Sequence, residues 1–343
     1  MAERNPFLLD ALPDAALLIS QGQLTAANAM ARHYLSLPEG PAPLPSYIPL
    51  VSGVPTQSGT FSNGLSRYSF RFTQTEEGDL LLFHPAPQTA LSDTQLDGAL
   101  RQMRTFLNEI LVEVEGQPLQ NPGSFHKTFH RMFRLMDNLE FCRAAGSGEG
   151  PSFHPVTVDL AGLCRQVVSE AGSLLRDSGI TLNFQSNLPT LLIPGDPQLL
   201  QRLLLELVSN SVRSMGKGAI TLSLRSQVGR AVLLLTDSGS PLTDRKLTAM
   251  LQQDTDQLLP LPEAGAGLGL SIARQIVDLH GGALLIPAGV PFPTVVLALP
   301  TGPLDPHVPV KTPAVQRDGG LSPMLVALSD VLPADLFRLV ELD

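Results

Sequence analysis

At 343 residues the chain is too long for one ordinary compact core and predicts two or three domains. It is 43% hydrophobic and 16% charged, a globular rather than a disordered composition. The net charge of -9 argues against general nucleic-acid binding, which needs a positive face, and against a polybasic membrane anchor.

The two cysteines, Cys142 and Cys164, form no CxxC pair and are expected as small buried hydrophobes in a reducing compartment. No apolar run approaches the ~18 residues of a membrane span. Met1 to Asp10 lacks a basic stretch followed by an apolar core, so no signal peptide is read. The expectation is a soluble, cytoplasmic protein without a transmembrane segment.

Residues 5–86 predict a small α+β domain. Leu17-Leu18-Ile19 is a short strand, Gln21-Gly22 a turn, and a helix runs from about Asn28 to Leu35. A Pro-rich loop covers Pro38 to Pro55, and strands follow around Tyr68–Phe72 and Leu80–Phe83. Pro85 and Pro87 mark a linker. Residues 92–144 predict a helical hairpin. Leu96, Leu100, Met103, Leu107, Ile110 and Val114 alternate steps of four and three, and Phe125, Phe129, Met132, Met136 and Leu139 do the same. Two such seams are buried most economically in a dimeric four-helix bundle; an intramolecular pair packed on a neighbouring domain is the alternative.

Residues 151–300 alternate helices and strands after a flexible joint at Gly146 to Gly150. Helices are expected at about Leu160–Arg176, Gln198–Ser214 and Leu268–Leu279. Alternation in several strands predicts one covered and one wetter face, hence helices on one side of a mixed sheet. Residues 301–343 begin Pro-rich and end in an amphipathic stretch from Met324 to Val340, read as a docking tail without an assigned role.

Three patterns carry chemistry. Gly265-Ala266-Gly267-Leu268-Gly269-Leu270 leads straight into an amphipathic helix. Bare backbone amides and a helix start together favour a polyphosphate. On the helix Gln198–Ser214, Glu206, Asn210 and Arg213 share one stripe apart from the leucine face. A carboxylate, an amide oxygen and a cation suit a hydrated Mg²⁺ with phosphates; a solvated polar face is the plainer alternative. Asp237-Ser238-Gly239 ends the apolar strand Val232–Leu235. A carboxylate there can accept the exocyclic amine of adenine, with Gly239 leaving room for the ring; a simple Asp/Gly turn is the alternative.

Taken in order, these patterns resemble the N, G1 and G2 boxes of the GHKL ATPase superfamily. The stretch Gly265 to Gly282, with His280-Gly281-Gly282 and the closing Leu299-Pro300, resembles bacterial sensor histidine kinases, as do Pro155-Val156, Asp159-Leu160 and Gly195-Asp196-Pro197. The resemblance covers about residues 92–300. It implies a multidomain α+β protein with a PAS-like domain (5–86), a hairpin for dimerisation and phosphotransfer (92–144), a two-layer α/β ATPase domain (151–300) and a tail (301–343). It further implies that Asn210 holds Mg²⁺, Asp237 reads adenine and Gly239 lines the base pocket. Gly265, Gly267 and Gly269, with Leu268 and Leu270, would edge the ATP lid and phosphates. Arg213 matches the basic position after the Asn, and Glu206 lies near the γ-phosphate as a candidate catalytic residue. Leu12-Pro13-Asp14 and Ala27-Asn28 are similar to PAS domains. The implied partners are a second copy, through 92–144, and a response regulator.

Three departures stand out. Where the family has a phosphoacceptor His followed by Glu, this chain has Arg101-Gln102 within Arg101–Leu107. A guanidinium stays protonated and has no lone pair to attack phosphorus. His126 and His130 on the second helix are candidate substitutes or a metal pair, or simply helix histidines. Pro241 replaces a glycine of the G1 box, and residues 243–264 lack a Phe-rich lid element. Three functions remain open: a histidine kinase phosphorylating itself from Mg·ATP, a pseudokinase that binds ATP and signals by conformation or docking, and a GHKL ATPase or serine kinase using Glu206 to activate water or hydroxyl.

Overall fold

The computed structural model describes residues 7–10, 12–20, 22–38, 40–45, 47–48, 50, 56–63, 66–75, 78–85, 93–115, 122–146, 151–227, 229–239, 268–287, 292–302, 310–311 and 322–337. The N-terminal part begins with a single helical turn, α1 (Phe7–Asp10), and a hairpin, β1 (Ala15–Ser20) and β2 (Gln23–Ala27). Asn28 ends β2 and caps α2 (Ala29–Leu35). Its Oδ1 accepts the N–H groups of Ala16 and Ala31 at 3.0 and 2.9 Å, while Nδ2 donates to the carbonyls of Asp14 and Leu9. The strands β3 (Ala42–Pro43), β4 (Thr56–Ser62), β5 (Arg67–Thr75) and β6 (Gly78–Pro85) complete this part around a cluster of Phe61, Tyr68, Phe70 and Phe83.

Two long helices follow, α3 (Asp93–Glu115) and α4 (Pro122–Gly146), packed on each other. Pro122 sits at the start of α4, the place where a missing N–H costs nothing. The remaining domain comprises β7 (Val156–Asp159), α5 (Leu160–Leu175), β8 (Ile180–Ser186), β9 (Leu192–Gly195), α6 (Pro197–Met215), β10 (Gly218–Gln227), β11 (Arg230–Asp237), α7 (Leu268–Leu279), β12 (Ala283–Pro287) and β13 (Thr294–Pro300). Helices α5, α6 and α7 cover one face of β8, β10, β11, β13 and β12. Beyond it, β14 (Val310–Lys311) pairs with β7 in a small sheet ordered β14-β7-β9, and α8 (Pro323–Ala327) precedes a 3₁₀ turn at Ala334–Phe337.

The expectation of one wetter sheet face needs correction. The strand order is β3-β2-β1-β6-β5-β4-β12-β13-β11-β10-β8, because β4 pairs antiparallel with β12. Along β11, Leu233 and Leu235 enter the core under the helices, whereas Val232 and Leu234 join the N-terminal cluster. On β12, Leu284 and Ile286 divide from Ala283 and Leu285 in the same way. Successive side chains point to opposite faces of a strand, so one sheet carries two cores. In the ATPase-like part, β8 and β10, toward one edge of the sheet, keep an alternation of buried and more open residues. The seam requires Gly59. A Cβ there would collide with the carbonyl oxygen of Leu284 and fall 2.8 Å from Leu285 Cδ2. Ser58 Oγ donates to the Ile286 carbonyl at 3.4 Å, and Arg67 pairs with Asp278.

Cys142 and Cys164 are free and buried, as expected, and burial pushes their thiols up to about 11 and about 12. Among the described residues no helix is long and apolar enough to cross a membrane.

Candidate functional site

Helix α6 is the spine of the site. Asp196 caps it, its Oδ1 accepting the N–H groups of Gln198 and Leu199 at 3.0 and 3.2 Å, with Pro197 in the first turn. The cap is held from the far end of α7. His280 Nε2 accepts the Asp196 N–H at 2.9 Å, and its Nδ1–H donates to the Ile276 carbonyl at 2.7 Å. Both contacts suit a neutral imidazole, and burial lowers the pKa of His280 below its ordinary 6.5. A Cβ at Gly195 would approach this ring to 2.9 Å, so the Gly-Asp-Pro and His-Gly-Gly motifs form one packed joint.

The leucine stripe of α6 enters the core, and its other stripe meets the first turn of α7. A Cβ at Gly269 would fall 2.9 Å from Glu206 Oε2 and 3.3 Å from Asn210 Oδ1. At the C-terminal end of α6, a Cβ at Gly239 would fall 3.3 Å from Met215 Cβ and 2.8 Å from Asp237 Oδ1. Asp237 ends β11, is buried, and its Oδ1 accepts the Gly239 N–H at 2.9 Å. Asn210 and Met215 are five residues apart, about 7.5 Å along the helix. The three segments singled out by sequence therefore meet along the C-terminal half of α6, with Gly269 beside Asn210 and Gly239 beside Met215 and Asp237.

Among the remaining expected residues, Leu268 is buried in the core and Leu270 packs against it. Gly265, Gly267, Pro241 and the lid residues 243–264 lie outside the described residues.

Glu206 is not part of a solvated face. It is 2% exposed, and its Oε2 accepts from Arg134 Nη2 of α4 at 2.8 Å. Arg134 Nη1 also donates to Ser209 Oγ at 3.1 Å and to Asp330 Oδ2 at 3.0 Å. Burial would depress the Arg134 pKa, but Glu206 and Asp330 outweigh it and hold it above the usual value. Asp330 lies between α8 and the last 3₁₀ turn. Its Oδ1 accepts from Arg131 Nε at 3.1 Å, and Arg213 Nη2 stands 3.7 Å from its Oδ2. Burial would raise the Asp330 pKa; Arg134, Arg213 and Arg131 together hold it below the ordinary carboxyl value.

Sequence reasoning missed Arg134 and Asp330. The available signal was an isolated acid between Leu328 and Leu332 in an otherwise apolar stretch, which demands a distant partner. Arg101 is exposed on α3. Of the two candidate substitute acceptors, His130 is 9% exposed, its Nδ1–H donates to the His126 carbonyl at 2.7 Å, and its ring meets Phe337 edge-on at 5.0 Å. His126 remains half-buried.

Residues 195–302 match the family described as histidine kinase-, DNA gyrase B-, and HSP90-like ATPase. The probable sensor kinase SilS of Salmonella typhimurium is 30% identical over 112 residues, 32% of this chain and 22% of that protein. The adaptive-response sensory kinase SasA of Microcystis aeruginosa is 25% identical over 175 residues, 49% of this chain and 45% of that protein. The chain thus spans less than half the length of these two relatives. The crystal structure of histidine kinase ThkA in complex with response regulator protein TrrA aligns with a TM-score of 0.45 at 15% identity, covering 86% of this chain and 98% of that one. Residues 195–302 are thus similar to the histidine kinase-, DNA gyrase B-, and HSP90-like ATPases, and the chain is similar over part of its length to bacterial sensor kinases.

Proposed function

We propose that this chain binds Mg·ATP along α6 and signals as a pseudokinase of the sensor histidine kinase type, without phosphoryl transfer to α3. The observation that carries the reading is the meeting of Asn210 with Gly269 and of Met215 with Gly239 and Asp237 on one helix. Asn210 would offer its amide oxygen to Mg²⁺, Arg213 a cation to phosphate, and Asp237 an acceptor for the adenine amine. Gly265, Gly267 and Gly269, with the backbone of Leu268 and Leu270, would line the phosphates. Bound there, Mg²⁺ would neutralise phosphate charge.

Loss of transfer is supported by Arg101 at the acceptor position, by burial of His130 beneath Phe337 and by the engagement of Glu206 with Arg134. The Glu206 carboxylate is engaged by the buried Arg134 guanidinium, so Glu206 is proposed to position Arg134 and the start of α7 rather than to move a proton. The rest of the reading follows the sequence: residues 5–86 as a PAS-like sensor unit, 92–144 as a dimerisation hairpin and a response regulator as partner, all in the cytoplasm. The hairpin seam supports the homodimer, with Leu96, Leu100 and Leu107 of α3 and Phe129 and Met136 of α4 exposed.

The test is incubation of the purified chain with γ-labelled ATP and Mg²⁺. Bound, intact nucleotide without label on protein is expected. Acid-labile label would instead establish a working histidine kinase with an acceptor other than position 101, and steady release of free phosphate would establish an ATPase. Asn210→Ala is expected to weaken nucleotide binding about ten- to hundredfold by equilibrium dialysis. Unchanged binding would remove Asn210 from the site.

A further inference from the structure

Resting on the reading that α6 holds the phosphates of a nucleotide, we infer that residues 322–337 form an intramolecular latch whose Asp330 carboxylate occupies the cation meant for those phosphates.

Three guanidiniums from two helices, Arg131 and Arg134 of α4 and Arg213 of α6, converge on the two oxygens of Asp330. A carboxylate set among arginines is the arrangement by which proteins bind an anionic group. Here the anion is supplied in cis by a segment that follows the ATPase domain. The segment is held by more than charge. Met324, Leu325, Leu328, Leu332 and Phe337 are buried in the main core, so Asp330 is delivered to a fixed place.

Arg213 is the member of the trio that links the latch to the site. It lies three residues beyond Asn210, on the next turn of the same helix. Its Nη2 is 3.7 Å from Asp330, longer than a good hydrogen bond, and its Nε is buried without a hydrogen-bond partner. Arg213 is thus partly buried, with 29% of its side chain exposed, and incompletely paired where it stands. Swinging onto a phosphate would recover those bonds and remove one of the ties on Asp330. Phosphate and Asp330 then compete for one guanidinium, and the coupling is reciprocal: the latch weakens nucleotide binding, and the nucleotide loosens the latch.

The experiment compares Mg·ATP affinity by equilibrium dialysis for the full chain, Asp330→Asn and Phe337→Ala, with melting curves to verify folding. Phe337→Ala loosens the segment without leaving the arginines unpaired, so it serves if Asp330→Asn does not fold. Each variant is expected to bind at least about fivefold more tightly. A second readout uses the absence of tryptophan from the chain. Phe337→Trp places a lone reporter against His130, and saturating Mg·ATP is expected to shift its emission to the red. Equal or weaker affinity in the variants, or an unmoved emission, overturns the latch while leaving the nucleotide reading intact. No binding by any of the proteins overturns both.

Discussion

The sheet β8-β10-β11-β13-β12 and helix α6 are approached from opposite sides by parts of the same chain, with different chemistry. At the β4–β12 seam the register pairs are Leu285 with Gly59, Ile286 with Ser58 and Pro287 with Gln57, and the side chains filling the interface are apolar, including Val232, Leu285 and Val296. At α6, α4 and the C-terminal segment are tied down through Arg131, Arg134, Arg213, Glu206 and Asp330. The first join is mainly apolar, with the Arg67–Asp278 ion pair beside it. The second is a set of mutually dependent ions, stable only while each charge keeps its partners. The chain therefore has one attachment held mainly by apolar packing and another held by ion pairs.

The largest effect should come from breaking the polar side at its centre. Arg134 and Glu206 keep only 6% and 3% of their side chains exposed, so Arg134→Leu leaves a buried carboxylate without its cation. The expected loss is about 3–5 kcal/mol, read from urea unfolding. The double variant Arg134→Leu/Glu206→Leu should recover a large part of it, because no orphan charge remains. If the single variant cost less than the double, the polar side would not be the interdependent network described.

Gly59→Val should act on the apolar side through sterics alone. The added Cβ meets backbone, which cannot rotate away, and about 1–3 kcal/mol is expected, with equal effect at low and high salt. A strong salt dependence would show that Arg67–Asp278, not the sheet pairing, dominates the seam.

A smaller effect should follow pH through His280. Its folded pKa is lowered, so the unfolded chain takes up a proton that the folded chain refuses. Stability is then complete above about pH 6.5 and falls as pH drops below it, with a slope of at most about 1.4 kcal/mol per pH unit. Denaturation midpoints at about pH 7.5 and 5.5, either side of that value, measure the slope, which His280→Gln should flatten. Asp330 has the same sign at lower pH: its pKa is held below the carboxyl value, and its contribution disappears as pH falls through that range.

Much of the site was legible because its parts are local. A capped helix start at Asp196-Pro197, an Asp-Ser-Gly strand end and a Gly-rich helix start are each written within a few residues, and their order carried the resemblance. The two joins were less legible, for different reasons. The seam left a trace: β11 and β12 are apolar at successive positions, as strands covered on both faces must be, while β8 and β10 alternate. Their contrast marks which strands lie under the N-terminal part, but not which strand edge comes to β12. The polar side left almost none. Arg134 and Glu206 are 72 residues apart, and Arg134 and Asp330 are 196 apart.

By itself, the sequence determined the helices and strands, the three glycine- and acid-bearing motifs and their order, and the presence of Arg101, a side chain without a free lone pair, on α3. These depend on periodicity, capping and side-chain chemistry that neighbouring residues specify. Only the tertiary structure decided that Glu206 is an ion-pair partner, that Phe337 covers His130 and that Asp330 sits among three arginines. Those outcomes depend on which buried charge finds which partner across the fold, and desolvation enforces the choice only once the chain has closed around it.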